Sequence, residues 1–374
     1  MAAALGVLAS CGSVKSGEDA IAASRDSKVV VAYVTSWSDV MPDPQCMTHI
    51  NYAFGHVNES FNGVKIDNEE RLKQIVDLKK QKPDLKVLLS IGGWGSGRFS
   101  EMAANDEYRR AFAVDCERVV EEFALDGIDI DWEYPTSSMA NISSSPDDTE
   151  NFTLLMQDIR AAIGNEKELT LATVASARYI DFKAILPSVD FVNIMAYDMA
   201  SAPKHHSALY PSGHSGDITS DGAVTAHLKA GVPPSKLVMG MPFYGRGGDG
   251  YPSFQDYNKV GNTDTQYTEK WDEVAQVPYL ADKNDTLVFG FENPRSLAIK
   301  CQYILDKDLL GGMYWDYSGD NEQGDLRRTV AENLLGKPHK AKVLVLTERG
   351  GQHGGFTDAG LKWLAAEGAK GNFS

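Results

Sequence analysis

Three carboxylates, Asp129, Asp131 and Glu133, recur at a spacing of two in the run Asp126-Gly127-Ile128-Asp129-Ile130-Asp131-Trp132-Glu133-Tyr134-Pro135. Side chains alternate between faces along a strand, so all three stand on one face while Ile128 and Ile130 occupy the other. The isoleucines, Trp132 and the apolar lead-in Phe123-Ala124-Leu125 mark a buried parallel strand rather than a solvated edge. Three like charges on a buried face destabilise a purely structural strand, because each resists ionisation beside the others. Acid–base chemistry in which one carboxyl group stays protonated gives the arrangement a use. Asp126 has the opposite parity and is expected to be structural.

The elements that position this strand follow from periodicity. Strands are expected at Lys28–Val34, Thr48–Phe54 and Lys86–Ile91, then at the acidic run, at Leu169–Val174, Phe191–Tyr197, Leu237–Pro242 and Gly311–Trp315. Helical patterns cover Glu69–Lys80, Asp106–Phe123, Asn151–Ile163, Ser220–Lys229, Pro294–Lys307 and Leu326–Leu335. Eight short apolar strands separated mostly by helices, over about 300 residues, suit an α/β fold of the (β/α)8 barrel type better than an open doubly wound sheet. Tyr33, Ser90, Glu133, Asp198 and Trp315 then fall at or near the carboxyl ends of strands, the active face of such a barrel. The polar stretch Thr136–Glu150 reads as a loop rimming that face. Residues 244–290, between the seventh and eighth strands, are too long for an ordinary crossover and suit a small strand-rich insertion walling one side of a cleft.

Composition narrows the chemistry. A formal net charge of -16 over 374 residues lacks the basic footprint that nucleic acid requires. The four cysteines, Cys11, Cys46, Cys116 and Cys301, form no CxxC pair, and the eight histidines show no HExxH, so no metal site is expected. Cys116 and Cys301 read as buried thiols. Gly92-Gly93-Trp94-Gly95 lacks dinucleotide-binding spacing, and no cofactor is implied.

The termini read differently. Leu8-Ala9-Ser10-Cys11 resembles the lipobox of bacterial lipoproteins, in which the cysteine becomes the lipidated first residue, although the basic segment expected before it is missing. Residues 1–27 are therefore expected to be a signal remnant and tether, with export and attachment to a membrane through Cys11. Residues 28–335 form the catalytic barrel in this reading. In 336–374, a linker leads to the strand Ala341–Thr347 and a helix-like Phe356–Glu367, the opening of a second α/β domain cut short. Glu348-Arg349-Gly350-Gly351-Gln352-His353 gives that opening a short likeness to trehalose-utilisation-type (ThuA-like) domains.

Over roughly residues 28 to 335 the chain resembles glycoside hydrolase family 18, the chitinase family. The DGxDxDxE signature is met by Asp126, Gly127, Asp129, Asp131 and Glu133, and SxGG by Ser90, Gly92 and Gly93. Tyr33 and Trp37, Trp94, the sixth-strand Met195-x-Tyr197-Asp198, Tyr244-Gly245-Arg246 and Trp315 also match. The resemblance implies retaining, substrate-assisted hydrolysis of β-1,4 links next to N-acetylglucosamine in chitin, chito-oligosaccharides or related glycans. It makes Glu133 the general acid, while the substrate's 2-acetamido oxygen attacks C1, unlike the two-carboxylate scheme. Asp131 would hold the acetamido N–H and share a proton with Asp129. Adjacent anions are expected to raise the pKa of Glu133. Tyr197 and Asp198 would bond the acetamido group and sugar, Trp315 would floor that sugar, and Tyr33, Trp37, Trp94, Met195 and Tyr244 would line the groove. Arg246 would bond hydroxyls or brace the carboxylates. Ser90 and Asp126 are expected to be structural.

Two departures bear on specificity. The insertion is shorter than that of processive members, so no deep tunnel is expected. His205 and His206 follow the sixth strand where the pattern does not match, and both are expected at the surface. An endo-β-N-acetylglucosaminidase cutting N-glycan cores would use the same acidic strand with a wider cleft. A chitinase-like lectin would lack the terminal glutamate, which this chain retains as Glu133.

Overall fold

Each apolar run expected to be a strand pairs as one. The computed structural model describes residues 28–248, 250–260 and 266–336. Its strands begin with β1 (Val29–Thr35), β2 (His49–Val57), β3 (Val64–Ile66), β4 (Lys86–Gly92) and β5 (Gly127–Asp131). There follow β6 (Glu168–Val174), β7 (Phe191–Met195), β8 (Leu237–Pro242), β9 (Tyr244–Gly247) and β10 (Gln255–Asp256). The last are β11 (Thr268–Asp272), β12 (Val277–Ala281), β13 (Leu287–Gly290) and β14 (Gly311–Trp315). Eight of these pair in parallel in the order β1, β14, β8, β7, β6, β5, β4, β2, and β2 pairs back onto β1. The closed sheet with intervening helices is the (β/α)8 barrel that the strand count implied.

Two apolar layers hold the barrel. Ile128 and Ile130 are fully buried in the outer layer, together with Leu89, Phe112, Val119, Phe152 and Leu155 from neighbouring strands and helices. Trp132 continues their parity and stacks on Phe99 at 5.3 Å between ring centroids. Inside the barrel lies a second cluster of Val31, Tyr33, Ala53, Phe54, Phe191, Val238 and Met313. Two helix starts show the capping clearly: Asn105 accepts from the Glu107 and Tyr108 amides, and Asn293 forms a capping box with Ser296.

Differences from the expected elements are local. The helix at Glu69 ends at Val76 and tightens into a 3-10 turn over Asp77–Lys80. The helix after the acidic strand begins at Asp148 rather than Asn151. Asp148 is fully buried; it accepts from the Thr136 amide at 3.1 Å, the Ser145 amide at 2.7 Å and the Ser100 hydroxyl at 2.7 Å, closing the polar loop onto its own helix. Short helices at Phe99–Ala104 and Phe182–Ile185 and the β2–β3 hairpin carry too few residues to show a period.

Between β8 and β14 the chain builds a five-stranded antiparallel sheet in the order β10, β9, β13, β12, β11. Cys46, Cys116 and Cys301 are buried free thiols. Cys11 with residues 1–27, and residues 337–374 with the expected strand and helix, lie outside the described residues.

Candidate active site

Strand register assembles the site from below. Asp129 on β5 lies opposite Ser90 on β4 and opposite Thr170 on β6. Its Oδ2 accepts from the Ser90 hydroxyl at 2.8 Å and the Tyr33 hydroxyl at 2.9 Å. Its Oδ1 accepts from the Thr170 hydroxyl at 2.6 Å and the Asn193 amide at 3.3 Å. Burial pushes the Asp129 carboxyl upward, and these four donors pull it only part of the way back, so it stays above its ordinary value. Asp131, two residues on, is buried with no hydrogen-bond partner at Oδ1. Burial first, then the charges of Glu133 and Asp129, push it well above the ordinary carboxylate value. Both carboxyls are pushed up, Asp131 further, so of the pair Asp131 is the one that more readily holds a proton.

Glu133 tops the row. Its carboxyl is pushed up to about 7, mainly by burial, with the Asp198 charge adding and the Tyr134 hydroxyl opposing. The carboxyl is raised as expected, but desolvation is the larger cause, and the anion that adds to it is Asp198. Because Glu133 and Asp131 face each other in one enclosed space, their titrations belong to the pair.

Glycines make room for this row. A β-carbon on Gly92 would sit 2.0 Å from the Asp131 carbonyl oxygen, and one on Gly93 would meet the Phe54 ring at 2.7 Å. Both also hold positive φ, 131° and 91°, which side chains disfavour. Asp126 and Gly127 serve the other end of the strand. The Asp126 carboxylate accepts from the Val87 amide at 2.8 Å and Lys79 Nζ at 2.7 Å, a structural role as expected from its parity.

A cavity of about 710 Å³ opens over the acidic row. Tyr33, Trp37, Trp94, Asp131, Glu133, Met195, Tyr197, Asp198, Tyr244, Arg246 and Trp315 all line it. Asp129 and Ser90 lie one layer beneath. Trp315 stacks on Phe54 at 5.5 Å and touches Tyr33 and Trp37 at 5.6 and 6.4 Å, forming the aromatic floor. Tyr244 stacks on Phe254 at 4.7 Å, and Arg246 lies over both rings, so β9 and the insertion supply one wall. Arg246 forks onto Asp198, Nε to Oδ1 at 2.7 Å and Nη2 to Oδ2 at 2.6 Å. Burial pushes Asp198 up, but the Arg246 fork and nearby His206 outweigh it and hold the carboxyl well below its ordinary value.

Several residues of the site went unread in the sequence. Phe54, Tyr134, Met139 and Phe254 line the cavity, and Thr170 and Asn193 hold Asp129. For Phe54, Thr170 and Asn193 the only signal was strand parity on neighbouring strands; Tyr134, Met139 and Phe254 lie outside strands, Met139 within the loop read as rimming the active face. His205 and His206 are corrections: both are buried, at 2% and 0% exposure, not on the surface. His205 Nε2 lies 3.2 Å from Asp272 on β11, tying the loop after β7 to the insertion.

A larger cavity of about 1130 Å³ lies between the insertion and the loop after β14. It contains none of the acidic-row carboxylates, and its Asn258 and Asp320 bond to Ser318 and Arg327 within its own walls. Chemistry therefore belongs to the smaller cleft. Among the described residues, no three His, Cys, Asp or Glu side chains converge as a metal site would need.

Residues 29–320 match the family model of glycosyl hydrolases family 18. The chain belongs to that family. It is therefore a glycoside hydrolase, and its relatives include chitinases. Chitinase A1 of Niallia circulans is 30% identical, over 82% of this chain and 58% of its own length. Chitotriosidase-1 of Mus musculus is 31% identical, over 79% of this chain and 74% of its own. The solved family 18 N-acetylglucosaminidase from Paenibacillus barengoltzii is 33% identical, covers 82% of this chain and all of its own, and superposes with a TM-score of 0.76. This chain thus spans little more than half the length of the first of these relatives and about three quarters of the second.

Proposed function

We propose that this glycoside hydrolase cleaves β-1,4 linkages of N-acetylglucosamine in chitin or chito-oligosaccharides, with retention and with the substrate's acetamido group as nucleophile. The observation that carries this reading is the pairing of Glu133, protonated up to about pH 7, with Asp131, whose buried Oδ1 has no partner. An acid of that strength can protonate a leaving group near neutrality. An unpartnered buried carboxyl oxygen suits an acetamido N–H.

In the first step Glu133 gives its proton to the glycosidic oxygen. The C1–O bond breaks as the acetamido carbonyl oxygen bonds to C1, forming a cyclic oxazolinium ion. Asp131 accepts the acetamido N–H and shares the pair's proton with Asp129, where one hydroxyl donor turns away to make room for it. Glu133, now a carboxylate, then takes a proton from water as the water oxygen attacks C1 and reopens the ring. Two inversions leave the anomeric configuration unchanged. Trp315 supports the reacting sugar, Tyr197 and Asp198 orient its acetamido group, and Tyr33, Trp37, Trp94, Met195, Tyr244 and Arg246 form the groove.

Similarity to chitinases supports chitin as the substrate. A barrel that only bound sugar would have no use for an acid poised near pH 7, which weighs against the lectin reading. Mass-spectrometric product profiling on chitohexaose and a biantennary N-glycan, side by side, tests the substrate. Cleavage of chitohexaose alone is expected; cleavage of the N-glycan core alone would replace this reading with the endo-β-N-acetylglucosaminidase one. Partially deacetylated chitosan tests the nucleophile: new reducing ends should carry N-acetylglucosamine, and frequent glucosamine there would overturn the acetamido route.

Leu8-Ala9-Ser10-Cys11 supports export and lipid attachment as part of the same proposal. A Cys11→Ser variant should leave the membrane fraction, and an unchanged membrane fraction would refute the anchor.

A further inference from the structure

His206 has no place in the family signatures and none in the cavity lining, yet it is fully buried directly behind a cavity residue. Its Nδ1 lies 3.5 Å from Asp198 Oδ1, just too far for a formed hydrogen bond, and neither ring nitrogen has another partner. A neutral imidazole carries one N–H, and a buried donor without an acceptor is rare unless the acceptor is taken up in another state of the molecule.

The ring is held where it is from several sides. It rests against Tyr244 at 5.3 Å between centroids. The His206 carbonyl accepts from the Met199 amide at 3.0 Å, folding the loop back beside Asp198. The next residue, Ser207, is clamped by a fully buried ion pair: its hydroxyl donates to Glu292 at 2.6 Å, and its carbonyl accepts from Lys300 Nζ at 2.5 Å. Breaking either end would strand a buried charge, so the pair fixes the backbone that carries His206.

Asp198, by contrast, has both oxygens occupied by the Arg246 fork, on the side open to the cavity. A sugar that bonds to Asp198 from the cavity shares its oxygens with Arg246 and can draw one of them out of the fork. We propose that His206 is the positioning residue of Asp198. As the reacting sugar opens the fork on the way to the transition state, Nδ1–H of His206 closes onto Oδ1 from behind. The carboxylate then stays ionised and aimed into the cleft. This rests on the reading of Asp198 as a group that orients the reacting sugar.

The experiment compares His206→Leu with His206→Asn and reads the ring tautomer in the unaltered protein. Asparagine places an amide N–H close to where Nδ1–H stands; leucine fills the space without a donor. On chitotetraose, His206→Leu should lose about tenfold in kcat, the worth of one charge-assisted hydrogen bond made in the transition state, with KM changed less than about threefold. His206→Asn should stay within about threefold of the parent. Nitrogen-15 NMR of the unaltered protein should find His206 protonated at Nδ1. Undiminished kcat in His206→Leu, or equal losses in both variants with both folded by circular dichroism, would reduce the residue to packing and overturn the proposal. An Nε2–H tautomer with bare Nδ1 would overturn it independently, even if the leucine variant fails to fold. Absence of turnover by the parent on chitotetraose would sink the functional reading instead, and the tautomer would still decide the role of His206.

Discussion

Glu133 and Trp94 face the same cavity, yet Glu133 is 9% exposed and Trp94 62%. The difference divides the cleft into two kinds of surface. At the buried end, removal of water changes what a group is: a carboxyl group of ordinary strength becomes an acid titrating near 7. At the exposed rim, Trp94 and Trp37 keep ordinary chemistry and offer area on which a sugar can rest. Reactivity should therefore depend on a few buried residues and affinity on the exposed ones.

The largest effect expected on that division is at Glu133. Glu133→Gln keeps the shape and removes the proton, and kcat on a substrate with a poor leaving group should fall by roughly 10²–10⁴-fold with oligosaccharide binding largely intact. A variant retaining more than half of the parent kcat would break the assignment.

Next comes Asp129, which lies beneath the cleft and anchors it. Asp129→Ala leaves the hydroxyls of Tyr33, Ser90 and Thr170 and the Asn193 amide without their acceptor. Stranded buried donors cost roughly 1–3 kcal/mol each before relaxation, and relief of like-charge repulsion offsets part of this. A net loss of about 3 kcal/mol in urea unfolding is expected. An unchanged unfolding midpoint would show that the buried end is not held by this network.

The pH dependence sharpens the contrast further. Glu133 is raised from 4.5 to about 7 in the folded protein, so between those values the folded chain holds a proton that the unfolded chain has lost. Stability from this group is therefore full below about pH 4.5 and declines as pH rises through 7. Glu133→Gln cannot ionise, so its Tm relative to the parent should climb across that interval. For the parent, kcat/KM should fall about tenfold per pH unit above an apparent pKa near 7, a macroscopic value shared with Asp131. An alkaline limb centred above pH 9 would contradict the burial argument.

Smallest is the rim. Trp94→Ala should raise KM for chitohexaose roughly three- to tenfold, about 1 kcal/mol of lost contact, while kcat and Tm stay nearly constant. A loss confined to kcat would mean that the rim indole aligns the reacting sugar and that the division of labour is wrong.

The acidic row was legible because it needs only the two-residue period of a strand, and the flanking isoleucines told which face would be buried. Gly92 and Gly93 were legible as a motif, but their reason, a neighbouring backbone at β5 and the Phe54 ring, was not. Thr170 and Asn193 gave no local sign: a threonine or asparagine in an apolar strand becomes a partner of Asp129 only through the closure and register of the barrel. His205 and His206 were misread for a related reason. They stand in a polar loop, and their burial is imposed by Tyr244, Asp272 and the Lys300–Glu292 pair, which the chain reaches only later. The five-stranded insertion was foreseen as strand-rich, but its order was not, since strands as short as β10 carry no period to read.

The sequence by itself determined which groups could react: the strand period puts Asp129, Asp131 and Glu133 on one face whatever surrounds them. Tertiary structure decided how they differ. Asp129 acquires four donors, Asp131 is left with an unpartnered oxygen, and Glu133 is lifted to about 7 beneath a cavity. The physical reason is one of range. Side-chain direction is a property of a few consecutive residues, whereas desolvation and hydrogen-bond partners come from strands and loops tens to hundreds of residues away, so only the closed barrel could assign each carboxylate its strength.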